Sequence, residues 1–75
     1  MKEIYADFNN FNADGNLDLR CKGSVDSLSS YGNTLIDGEE VYFSDQDELK
    51  VRGILHHCKD GSWVGHSDKW VFEYL

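Results

Sequence analysis

Seventy-five residues with 40% hydrophobic and 13% aromatic content suffice for one small core. They exclude a multidomain architecture and, despite a net charge of -7, a disordered chain. An acidic balance of this kind repels nucleic-acid phosphates and anionic membranes, and it favours basic partners or cations.

The opening MKEIYADFNN has no long apolar run, so neither a signal peptide nor a membrane span is expected there. Cys21 and Cys58 are too few and too far apart to form a disulfide framework. The expectation is a single domain over residues 1–75, soluble and cytoplasmic, with reduced thiols.

Ile4 to Phe11 alternates, with Ile4, Ala6 and Phe8 on one face. Leu17, Leu19 and Cys21 alternate as strictly, and Asn12-Ala13-Asp14-Gly15-Asn16 between the two runs carries a glycine where a left-handed residue is wanted. The chain is therefore predicted to open with a β-hairpin. From Gly23 to Gly32 the period changes. Ser24 suits an N-cap, Asp26 the first turn and Gly32 the C′ position, which predicts about two turns of helix with Val25, Leu28 and Tyr31 toward the barrel.

Leu35-Ile36 is a short extended piece, and Asp37-Gly38 turns the chain into a meander. Val41–Phe43, Leu49–Cys58 and Ser62–His66 read as three antiparallel strands. The first turn is acidic, and the second holds the Asp60-Gly61 pair that a tight hairpin needs. On the long strand Leu49, Val51, Leu55 and His57 share one face, while Lys50, Arg52 and His56 share the other. Gly53 interrupts that strand as at a bulge or a barrel bend. Trp70–Leu75 closes the chain as an apolar strand, expected to pair with the first hairpin and close the barrel. The fold class is mainly β: a small barrel with one short helix, in the order β-β-α-β-β-β-β.

The run Tyr5-Ala6-Asp7-Phe8-Asn9-Asn10, then Gly15-Asn16-Leu17, then Leu19-Arg20-Cys21-Lys22-Gly23-Ser24, with Leu28 and Gly38–Val41, resembles a family of small uncharacterised bacterial proteins. Its members open with a similar YADFNN-like hairpin, followed by a short helix and a β-meander. The resemblance implies an SH3-like barrel. The family has no assigned activity, so it transfers no functional residue.

Charge is unevenly placed. Residues 1–48 carry eleven acids against three bases, whereas residues 49–75 carry three acids against four bases. Asp37, Glu39, Glu40, Asp45, Asp47 and Glu48 stand within twelve positions with no base among them. These six form a candidate acidic rim for a partner with a basic surface, with Tyr42, Trp63 and Trp70 as candidate aromatic contacts. The alternative is single-stranded nucleic acid bound by Lys50, Arg52, Lys59 and Lys69 beside Trp63 and Trp70, which the net charge opposes.

Other chemistry is weakly marked. Asn10, Asn12, Asp14, Gly15 and Asp18 imitate a calcium loop, but position twelve is Cys21 instead of a bidentate Glu, so a hairpin turn explains them more economically. His56, His57, Cys58 and His66 are the one cluster with metal or nucleophile chemistry. Pairing Cys58 with Ser62 would set His56 opposite Val64 and diagonal to His66. A two-residue loop would instead bring His57 diagonal to His66. Two imidazoles do not close a zinc site. No third group marks a Cys58–His nucleophile, so no enzyme, metal or cofactor is expected.

Overall fold

Alternating apolar residues set the centre of the sheet. The computed structural model describes residues 1–68, 70 and 73–74. Its strands are β1 (Glu3–Tyr5), β2 (Leu17–Asp18), β3 (Glu40–Ser44), β4 (Leu49–His57), β5 (Trp63–His66) and β6 (Glu73–Tyr74). Helix α1 (Lys22–Tyr31) and a 3₁₀ turn (Gly32–Thr34) lie between β2 and β3. The strands form one curled sheet, a half-barrel ordered β1-β3-β4-β5-β2, with β6 on β4 outside that path. The chain is thus mainly β with one helix, in the expected element order. Among the described residues no helix is long and apolar enough to cross a membrane.

Val41 and Phe43 on β3, with Val51 and Leu55 on β4, point into a core completed by Ile4, Ala6, Leu17, Leu19 and Leu28. Phe43 dictates two glycines. A Cβ on Gly65 would stand 2.7 Å from its ring, and one on Gly53 would stand 2.9 Å from the His66 carbonyl and 3.1 Å from the same ring. The β3–β4 ladder runs unbroken past Val41 and Gly53, so Gly53 marks close packing instead of a bulge. The β4–β5 hairpin pairs His56 with Val64 and His57 with Trp63. Cys58 N–H donates to Ser62 O, and Gly61 sits at φ 90°. That is the first of the two registers expected, and it places Trp63 on the face of Leu55.

The opening hairpin needs correction. β1 does not pair with β2; it pairs in parallel with β3, Ile4 against Phe43, while β2 pairs with β5. Only the tip of the hairpin forms, through a Phe11–Leu17 bridge and Asp18 N–H donating to Asn10 O. The cause lies at Asp7. Its carboxylate accepts the Asn9 N–H and its carbonyl accepts the Asn10 N–H, so the chain turns before the two strands can align. β6 also departs from expectation. It pairs with Leu49 and Lys50 of β4, on the edge that β5 leaves open, and not with the first hairpin. The rest of the expected Trp70–Leu75 strand, Trp70 apart, lies outside the described residues.

α1 has ten residues, begins after Cys21 and carries no side-chain cap, so Ser24 is not its N-cap. Val25 is 46% exposed instead of facing the barrel. The reason is that α1 packs along the outer edge of β1, which is polar. Ser24 Oγ donates to Tyr5 O at 2.6 Å, Tyr5 N–H donates to Ser27 Oγ at 3.0 Å, and Glu3 N–H donates to Tyr31 Oη at 3.0 Å. Residues at i, i+3 and i+7 share a helix face, so these hydroxyls do for β1 what another strand would, and they cover an edge open to aggregation. Gly23 permits the approach, since a Cβ there would stand 2.6 Å from the Tyr5 ring.

Candidate functional site

The six acids of the predicted rim do not form one surface. β3 separates them into two groups of three, roughly 13 Å apart by strand rise. At its start, Asp37 Oδ1 lies 3.0 Å from His56 Nδ1 and accepts the His57 N–H at 3.0 Å. Glu39 accepts Lys2 Nζ at 2.8 Å and the Ile36 N–H at 2.6 Å, and Glu40 faces Arg52 at 4.0 Å. The Lys2 ammonium beside Glu39 holds its carboxyl below the ordinary carboxylate value, and the His57 N–H does the same for Asp37. This group is engaged in holding the fold.

At the other end, Asp45 Oδ1 accepts the N–H groups of Asp47, Glu48 and Leu49 at 2.9–3.0 Å, and this lets Gln46 adopt φ 66°. The Leu49 and Glu48 donors hold the Asp45 carboxyl below its ordinary value. Among the described residues, the Asp47 and Glu48 carboxylates have no ion-pair partner.

This end of β3 borders a cleft of about 690 Å³ against the segment that follows β1. Tyr5, Phe8, Phe11 and Trp70 supply its rings, and Asp7, Asp45 and Asp47 its charge. No lysine or arginine among the described residues lines it. The Trp70 and Phe11 rings meet at 77° with centroids 5.4 Å apart, and Trp70 Nε1–H donates to Gly15 O at 3.4 Å. Phe11 is 38% exposed. The sequence reading missed Asp7, Tyr5, Phe8 and Phe11. Three aromatic rings around one acid within seven positions were a signal, but it was absorbed into the strand pattern.

The three predicted aromatic contacts also separate. Trp70 lines the cleft. Trp63 stacks on the His57 imidazole, centroids 4.4 Å apart, and borders a second, apolar groove of about 560 Å³ beneath α1, with Val25, Leu28 and Leu35. Tyr42 lies on the solvent face with Lys50 Nζ 4.2 Å from its ring centroid.

The remaining candidates are dispersed. Lys50 pairs with Glu3 at 3.5 Å and Arg52 with Glu40, so acids offset the basic face on which the nucleic-acid alternative relied; Lys69 lies outside the described residues. His56 and His66 are diagonal neighbours on the sheet, yet His56 turns to Asp37 while His66 Nδ1 lies 2.7 Å from Asn16 Oδ1. Among the described residues, no three His, Cys, Asp or Glu side chains gather as metal ligands. Two of the calcium-like loop's oxygen side chains are already engaged: Asn12 Oδ1 accepts the Asp14 and Asn16 N–H groups, and Asp18 pairs with Arg20 at 2.7 Å. Cys21 Sγ donates to Ser24 Oγ at 3.2 Å, and both cysteines are free. No family model, curated protein or solved structure matches the chain.

Proposed function

We propose that the protein is a non-enzymatic, SH3-like interaction module that binds a basic peptide or protein segment along the cleft between residues 5–11 and the β3–β4 turn. One observation carries the reading: three carboxylates and four aromatic rings share this cleft with no cation among the described residues that line it. A potential of that sign draws basic segments and sets the association rate, while the rings supply contact area. The fixed turn at Asp45 and the Tyr5 ring held against Gly23 present the surface with little ordering left to do on binding. The first half of the predicted rim, Asp37 to Glu40, plays no part in this reading because its carboxylates are already engaged by Lys2, Arg52, the His56 ring and backbone N–H groups.

The test is titration of the intact chain with a fluorescent basic peptide and, separately, with a fluorescent oligothymidine. Wild type should bind the peptide, less tightly as salt rises, and a variant with Asp7→Asn, Asp47→Asn and Glu48→Gln should bind about tenfold more weakly. Salt-sensitive oligothymidine binding that Lys50→Ala with Arg52→Ala abolishes would overturn the reading in favour of a nucleic-acid surface.

A further inference from the structure

We infer that the cation this cleft reads is arginine, presented on an extended basic segment, in preference to lysine. The inference rests on the basic-segment reading above and adds the identity of the recognised side chain. Two features of the walls point to it. First, the Phe11 and Trp70 rings stand at 77° with centroids 5.4 Å apart, which makes a corner of two ring planes. A planar guanidinium can lie against one face while its edge meets the other wall, whereas an ammonium offers no plane to stack. The corner is held in place: Trp70 Nε1–H reaches Gly15 O, and its ring stands 6.4 Å from that of buried Phe43.

Second, the charge that lines the same cleft is fixed in a way that suits a fork of donors. Asp45 is anchored through Oδ1 by three backbone N–H groups and Asp7 through Oδ1 by the Asn9 N–H. Among the described residues no hydrogen bond engages Oδ2 of either, nor either oxygen of Asp47. Several carboxylate oxygens thus remain for the five N–H groups of one guanidinium, which also sheds its water more readily than an ammonium does.

The experiment uses two peptides of equal length and charge, carrying two arginines or two lysines at the same positions, titrated against the intact wild-type chain and two variants. Wild type should bind the arginine peptide about fivefold more tightly, the ratio expected of one added cation–π contact. Phe11→Leu, at an exposed position, should bring that ratio close to one while retaining binding of both peptides. Asp47→Asn should weaken both peptides, the arginine peptide the more, since it removes a carboxylate that the guanidinium's donors would share. Equal binding of the two peptides by wild type, or a ratio that survives Phe11→Leu, overturns arginine recognition and leaves the basic-segment reading standing. Failure of both peptides to bind overturns both.

Discussion

The two ends of β3 carry three acidic side chains each and use them in opposite ways. At the start, Lys2, His56, Arg52 and backbone N–H groups meet Asp37, Glu39 and Glu40. At the end, one acid of three, Asp45, is committed to the turn, while Asp47 and Glu48 face outward beside an aromatic cleft. Acid count alone therefore says little about where a basic partner would bind. What distinguishes the ends is whether countercharges come from the same fold.

Acid should produce the largest effect, because it acts on both ends together. Asp37, Glu39 and Asp45 all have folded-state carboxyls below their ordinary values. The stability they contribute is therefore complete above the unfolded carboxylate value of about 4 and is lost as pH falls through the lower folded values. Circular dichroism should accordingly show unfolding on the acid side of about pH 4, with little change between about pH 5 and 7 from these groups. A next step separates the ends. Asp45→Ala strands three N–H groups and should lower the melting temperature more than any other single rim substitution. Glu39→Ala should cost about 1–2 kcal/mol in a denaturant titration and leave peptide affinity unchanged. The smallest stability effect belongs to Asp47→Asn with Glu48→Gln, within about 0.5 kcal/mol, although this variant should lose affinity for a basic peptide.

Much of the sheet was legible because its information is local. Alternation at Val51 and Leu55 gave the long strand, and the match of Trp63 to the face of Leu55 favoured the hairpin register that pairs His56 with Val64. The partner of β1 was not legible, because a parallel pairing with β3 depends on what covers the strand's other edge. That cover is the row of hydroxyls from Ser24, Ser27 and Tyr31, and its two serines are residues that helix propensity marks as poor and that hydrophobic patterning ignores. Val25 was expected inward for the same reason: a helix packed on a sheet edge turns Ser24 and Ser27 toward the strand. The candidate site was half legible. Asp45, Asp47 and Trp70 came from the charge run and the aromatic count, but Asp7 and Phe11 join them only because the chain turns at Asp7 and returns beside β3–β4.

The central claim is that the cleft end of β3, and not its start, receives a basic segment. Amide and indole shifts of labelled protein during titration with the two-arginine peptide test it most directly. The account predicts perturbations at Asp7–Phe11, Asp45–Asp47 and the Trp70 indole N–H, with Asp37–Glu40 and Arg52 unmoved. Perturbations centred on Asp37–Glu40, or on Val25 and Trp63 beneath the helix, would contradict it.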